Sequence, residues 1–344
     1  MRYPESLKPG GTIGFPAPSY GCAVQPYRAA FMNALKKWQE KGYRTLPGPN
    51  CYADAGIGIS NTPEKCAQEF MELYCSGNTD CLISCGGGEL MCEILPYIDF
   101  VRLAQAKPKW FMGYSDNTNL TYLLATLTDT ASLYGPCAAA FGMEPWDKSL
   151  EDAAAVLTGQ ARSVGSYGRW EKESLKDEDH PLEPYHLTEE LAMKCYVGNT
   201  MVTSKLQFQG RLLGGCMDCL VNLTGTRFDK TRQFIERYHQ DGIVWFLESC
   251  DLNVFAIRRA MWQMEEAGWF DYVKGFLIGR PANGEPMAGL DAYEAVLETA
   301  GPKNVPVIMD MDLGHRPPMM PLIVGSTADI VVSGNSLSIG YTFS

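Results

Sequence analysis

Lys107-Pro-Lys-Trp-Phe-Met-Gly-Tyr-Ser-Asp-Asn-Thr-Asn-Leu-Thr121 reads as a short apolar strand, a tight turn carrying Ser115, and the start of a helix. Leu120, Leu123, Leu124 and Leu127 recur at i, i+3, i+4 and i+7, the spacing of one buried helical stripe. A serine at a sharp strand-to-helix turn points its hydroxyl out of the sheet. The backbone N–H of the next residue, here Asp116, can then receive the oxyanion of an acyl-transfer intermediate. The turn is Gly-x-Ser-x-Asn and lacks the second glycine of the common hydrolase elbow, so pattern alone leaves a helix-capping serine as the alternative.

Outward from this turn, residues 1–160 alternate short apolar runs with helical patterns, the mark of a layered α/β domain with a largely parallel sheet. Thr12-Ile-Gly-Phe reads as the first strand, Tyr27 to Lys41 as a helix with Ala30, Phe31, Leu35 and Trp38 on one face, and Tyr43-Arg-Thr-Leu as the next strand. Thr62 to Cys75 is a helix capped by Thr62, feeding the strand Cys81-Leu-Ile-Ser-Cys85. That strand ends in Gly86-Gly87-Gly88, which puts flexible backbone amides where α/β sheets bind their ligands, so one of these glycines is a candidate second oxyanion donor. The alternatives are a phosphate loop, for which the Gly-x-Gly-x-x-Gly frame and the Walker lysine are missing, and a plain chain reversal.

Residues 161–190 turn charged and polar and read as a linker or surface excursion, within which Trp170 is either a substrate platform or a locally packed tryptophan. Residues 191–344 form a second, β-rich α/β domain, with a helix before Thr224-Gly-Thr, the buried strand Ile243-Val-Trp-Phe-Leu ending at Glu248, a helix from Asn253 to Ala267, and strands at Val273 to Gly279 and Val305 to Met309. The tail from Leu322 reads as short strands joined by glycine turns.

A chain of 344 residues with 46% hydrophobic content supports two cores. The net charge of −11, without any cluster of Lys and Arg, argues against nucleic acid and leaves small molecules or peptides as ligands. No apolar run approaches the roughly 20 residues that span a bilayer, and the first residues have no apolar signal core, so the expectation is a cytoplasmic protein with no membrane partner. The twelve cysteines then read as reduced, mostly buried thiols. Cys216-Met-Asp-Cys219 has no second pair or histidine at zinc-finger spacing and reads as the first turn of a helix.

A serine hydroxyl needs a base, usually histidine. His180 and His186 lie in the polar segment, and His239 is placed on an amphipathic helix behind Phe234, Ile235 and Tyr238, where solvent is its natural environment. His315 instead comes just past a buried strand, after a glycine and shortly before two prolines that restrict the backbone, which suits a rigidly held imidazole. Its tautomer and charge call for a carboxylate, and Glu248 at the end of a buried strand is the best candidate, with Asp251, Asp310 and Asp312 as rivals.

Together these motifs resemble the LD-carboxypeptidase family of serine peptidases, which includes muropeptide LD-carboxypeptidases and microcin C immunity peptidases. The resemblance runs through Leu7-Lys-Pro-Gly-Gly-Thr-Ile, Gly86-Gly87, Gly113-Tyr-Ser-Asp-Asn-Thr118, Tyr134-Gly-Pro, Leu223-Thr-Gly-Thr226, Phe246-Leu-Glu248 and Gly314-His315. It implies a nucleophile at Ser115, an acid at Glu248, a base at His315, and oxyanion donors at the N–H of Asp116 and Gly87. It also implies an N-terminal α/β domain carrying the serine, a β-rich, partly barrel-like C-terminal domain carrying the acid and base, a homodimer, and no metal or organic cofactor; Gly86, Gly88 and Trp170 are candidate substrate contacts. The reaction implied is hydrolysis of an L,D-peptide bond, as in murein peptides. The alternatives are a peptidyl- or aminoacyl-nucleotide amide cleaved by an immunity-type peptidase, an inactive peptide-binding module, and an amidase using Cys137 or Cys85. The chain departs from the family pattern at Cys216, where asparagine is usual, at Ser249, at Cys85 and at Gly88-Glu89, and all of these bear on substrate choice.

Overall fold

Short runs such as Cys81–Ile83 and Phe111–Gly113 are apolar on both faces, which suits strands covered by helices on either side. In the computed structural model, which describes residues 1–343, they build an α/β protein of two compact units. The first comprises Met1–Ala161 with Glu173–His186, and the second comprises Arg162–Lys172 with the chain from Leu187 onward. The polar segment is therefore divided between the units, and part of it is strand: Arg169–Glu171 pairs antiparallel with Leu187–Glu190.

The first unit's own strands pair in parallel in the order Ser132–Tyr134, Phe111–Gly113, Cys81–Ile83, Thr12–Phe15 and Arg44–Pro47. The helix Tyr27–Glu40 buries Ala30, Phe31, Ala34 and Trp38, a single face, while Arg28, Lys36 and Glu40 stay in solvent. Pro63–Cys75 starts at a proline, which has no N–H to leave unpaired, and buries Cys66, Ala67, Phe70, Met71 and Tyr74. The helix behind Ser115, Thr118–Thr128, departs from the single-stripe expectation: its first eight residues are all buried and Leu127 is only half-buried. Its polar residues tolerate burial because their side chains bond locally. Thr121 Oγ1 donates to Asn117 O at 3.2 Å, Asn119 Nδ2 to Asp116 O at 2.9 Å, and Thr128 Oγ1 to Leu124 O at 2.6 Å.

In the second unit Pro306–Met311, Val273–Gly279, Ile243–Glu248 and Leu206–Cys216 run parallel. Antiparallel strands extend both sides, with Lys194–Val197 and Thr200–Val202 on one and Thr327–Ser333, Ser336–Thr342 and Ser163–Gly165 on the other. The tail hairpin alternates buried and exposed residues and turns at Gly334-Asn335, with Gly334 at φ +58°. Helices Val254–Glu266 and Ala292–Ala300 begin at Asn253 and Asp291, whose side chains accept the N–H of Ala256 and Glu294. Among the described residues, no helix is long and apolar enough to cross a membrane.

Strand register also positions chemistry in this unit. Parallel pairing places Cys216 opposite Glu248 at the C-terminal ends of their strands, so two chemically reactive side chains leave neighbouring strands at the same level.

Candidate active site

Candidate residues occur in both units. In the first, Phe111–Gly113 leads through Tyr114 into a short 3-10 turn, Ser115–Asn117, and then the buried helix. Ser115 has φ +61°, a left-handed conformation that costs a non-glycine residue about 1–3 kcal/mol and persists only where its surroundings enforce it. They do so here through several bonds. The N–H of Ser115 donates to Tyr134 Oη at 3.2 Å, and Asn117 Nδ2 donates to Tyr114 O at 3.1 Å and to Gly86 O at 2.8 Å. Asn117 therefore does what the missing glycine of a common elbow cannot, tying the serine turn directly to the glycine turn. It is also why position 113 is glycine: a Cβ there would come within 2.8 Å of the Asn117 amide carbon.

Asp116 is fixed through its side chain. Its carboxylate accepts from Ser19 Oγ at 2.5 Å, Met91 N at 2.9 Å and Asn119 Nδ2 at 3.0 Å. Burial pushes its pKa upward against these donors. Gly87 lies against the serine, since a methyl group on it would sit 3.2 Å from both Cβ and Oγ of Ser115, so only glycine leaves the space beside the hydroxyl open. Gly86 contributes the carbonyl that Asn117 holds, and Gly88 has φ +158°.

The cysteine alternative loses its chemical basis. Cys137 and Cys85 are both buried, and burial pushes the Cys137 thiol up to about 12 and the Cys85 thiol well above its ordinary value. A nucleophilic cysteine needs the reverse shift.

In the second unit Glu248 ends its strand fully buried, and its Oε2 lies 2.7 Å from Nδ1 of His315, whose side chain keeps 15% exposure. Gly314, at φ +93°, allows this approach, because a Cβ there would run into the Glu248 carboxylate. Burial disfavours the imidazolium, but the Glu248 charge together with hydrogen bonds from the ring to Cys250 and Glu248 overrides it, and the ring's pKa is raised. The rival acids are engaged elsewhere. Asp310 accepts from Tyr293 Oη at 2.5 Å, Asp312 is paired with Arg280 at 2.6 Å and accepts the N–H of Tyr167 at 2.8 Å, and Asp251 is exposed.

The other histidines lie at the surface: His180 contacts Asp177 at 2.9 Å, His186 is exposed, and His239 lies two residues beyond the end of the helix Thr231–Arg237, facing solvent. Trp170 is half-buried, with the Arg280 guanidinium of the same unit 5.1 Å from its ring centroid.

Around His315 the structure gathers groups that spacing along the chain did not associate. Donor atoms of Cys216, Glu248 and His315 all lie within 4.8 Å of one another, a group able to hold a metal ion. Cys216 stands at the N-cap of the helix Met217–Leu223, as a helix-start reading requires, yet its Sγ also donates to Asp218 Oδ2 at 3.3 Å. Hydrogen bonding with Cys219, followed by burial and the charge of Glu248, keeps the Cys216 thiol well above its ordinary pKa.

Comparison with known proteins bears on this arrangement. Residues 13–135 match the model of the LD-carboxypeptidase N-terminal domain, and residues 209–330 match that of the LD-carboxypeptidase C-terminal domain. Among curated proteins, the Microcin C7 self-immunity protein MccF of Escherichia coli is 26% identical over 97% of this chain and 94% of its own. A structure of MccF in complex with aspartyl sulfamoyl adenosine superposes with a TM-score of 0.80 at 24% identity, covering 98% of both chains. The muramoyltetrapeptide carboxypeptidase from Oxalobacter formigenes shares the fold with a TM-score of 0.71 at 18% identity, over 96% of this chain and 99% of that one.

Proposed function

The chain belongs to the LD-carboxypeptidase family of serine-type carboxypeptidases, and on that premise we propose that Ser115, His315 and Glu248 act together as its catalytic triad. Ser115 attacks the amide carbonyl and His315 takes the hydroxyl proton, later returning it to the leaving amine. Glu248 holds the ring in one tautomer and stabilises its positive charge. The N–H groups of Asp116 and Gly87 receive the tetrahedral oxyanion, and water then releases the acyl group. Neither metal nor organic cofactor takes part in these steps.

The observation that carries this reading is the strained Ser115, held at φ +61° with the Gly87 backbone against its side chain. The buried Glu248–His315 pair at 2.7 Å supplies a base that is already oriented. Ser115→Ala tests it. Loss of hydrolysis with unchanged folding supports the nucleophile, and hydrolysis at the wild-type rate refutes it and would leave a peptide-binding module.

Two substrate classes fit such a site. A murein tetrapeptide losing its terminal D-residue is the reading that accompanies the family as a whole, with a cytoplasmic homodimer acting in peptidoglycan recycling. An aminoacyl- or peptidyl-nucleotide amide is favoured by Trp170, whose half-buried ring, with Arg280 beside it, can stack a nucleobase, and by the sequence likeness to a microcin immunity protein. Parallel assays separate them: turnover of the nucleotide amide with a higher KM in Trp170→Ala supports the second class, and turnover of murein tetrapeptide alone supports the first.

A further inference from the structure

We infer that Cys216, His315 and Glu248 form a binding site for a thiophilic divalent cation of the Zn2+ type, and that occupancy switches the base off. A thiol sulfur, an imidazole nitrogen and a carboxylate oxygen are the donors that Zn2+ prefers, whereas Mg2+ and Ca2+ take oxygen ligands almost exclusively. The three donor atoms lie within 4.8 Å of one another. Tetrahedral Zn2+ with bonds of about 2.0–2.3 Å sets its ligand atoms roughly 3.4–3.8 Å apart, so side-chain shifts on the order of 1 Å close the site.

The backbone prepares this arrangement. Cys216 and Glu248 are register partners on adjacent parallel strands, and Gly314 lets His315 turn onto the carboxylate. The fourth position of a tetrahedral ion is left to water. Asp218 secures the thiol side, with Oδ2 accepting from Cys216 Sγ at 3.3 Å and from the N–H of Cys250 at 3.1 Å, and Oδ1 accepting the N–H of Asp251 at 2.9 Å.

On binding, the Cys216 thiol gives its proton to solvent and the ion replaces the proton on Nδ1 of His315, which passes to Nε2 from a neutral ring or to solvent from an imidazolium, so Nε2 ends up carrying hydrogen. The imidazole then has no lone pair or carboxylate with which to serve Ser115. That inhibition rests on the triad reading, whereas the binding does not.

Co2+ is the probe for the full-length protein, because it adopts the tetrahedral geometry of Zn2+ and absorbs where Zn2+ is silent. The expected result is saturation with one equivalent, a thiolate-to-cobalt band in the near ultraviolet, and loss of that band on adding Zn2+. Cys216→Ser and, independently, His315→Gln should each remove the band and weaken binding by more than about 100-fold, beyond what loss of an outer partner costs. No band in the wild-type protein, or a band unchanged in either variant, overturns the site. Zn2+ should also inhibit wild-type hydrolysis and leave Cys216→Ser insensitive. A protein that binds Co2+ in this way but hydrolyses neither substrate class keeps the metal site and refutes the triad. An active enzyme without the cobalt band does the opposite.

Discussion

The serine turn and the His315–Glu248 pair belong to one proposed mechanism but are built by different means. The turn is local: strand, Ser115 and helix occupy one stretch of chain, and the constraints on it come mostly from that stretch and the Gly86-Gly87 loop. The pair joins residues 67 apart in sequence through strand register and one glycine. The turn keeps a partly exposed side chain in a strained conformation, while the pair keeps a fully buried carboxylate satisfied. A nucleophile has to reach solvent and substrate. The acid behind a base works best away from water, where its charge acts on the ring at low dielectric.

The comparison breaks most directly at Ser115. Ser115→Ala should lower kcat by about 10³-fold or more, in line with nucleophile removal elsewhere, with no loss of thermal stability because the strained φ is relieved or unchanged. A stable but equally active variant would place the chemistry elsewhere. Glu248→Gln should cost roughly 10²–10⁴-fold in kcat and leave the turn intact, since only the second unit is touched.

The same variant tests the charge coupling through pH. With the pKa of His315 raised by Glu248, the acid limb of kcat/KM should lie above the usual imidazole range near 6.5, and it should move down in Glu248→Gln. Folding stability is coupled to the same proton. The pair's contribution is complete below the unfolded imidazole pKa and is lost as pH rises through the raised folded value, so a wild-type advantage over Glu248→Gln should shrink on the alkaline side. Chemical denaturation at several pH values measures this, and an advantage that grows with pH would contradict it.

Gly87→Ala should reduce kcat by up to about 10²–10³-fold, the scale of one oxyanion contact, because the added methyl crowds Ser115 Oγ and shifts the Gly87 N–H, which the variant retains, away from the oxyanion. The smallest effect belongs to Asn117→Ala. It leaves Gly86 O without its 2.8 Å donor and should destabilise the protein by about 1–3 kcal/mol, read as a lower midpoint in urea, with a modest fall in kcat as the two turns loosen. An unchanged midpoint would mean that Asn117 does not tie them.

Much of this is legible in the sequence because the signals are local. Helices with one apolar face, such as Tyr27–Glu40, and buried strands, such as Ile243–Glu248, repeat with periods that reflect which side meets the core. The strands Leu187–Glu190 and Thr200–Val202 leave no such trace because they are short and largely exposed or half-buried, and pairing with neighbours rather than composition makes them strands. Asn117 lies within the serine turn itself, but its bond to Gly86 O spans 31 residues and has no periodic signature.

What the sequence determined by itself was the alternating α/β order, the strand–serine–helix turn, and a histidine held between glycine and proline, each set by backbone preferences over a few residues. Only tertiary structure could set Glu248, already the leading candidate, 2.7 Å from His315 with the three aspartates occupied or exposed elsewhere, and bring the Cys216 thiol to the histidine that its own neighbourhood lacks. Those choices depend on strand register and on burial, which no short window of sequence encodes, because the competing carboxylates differ in their partners and not in their chemistry.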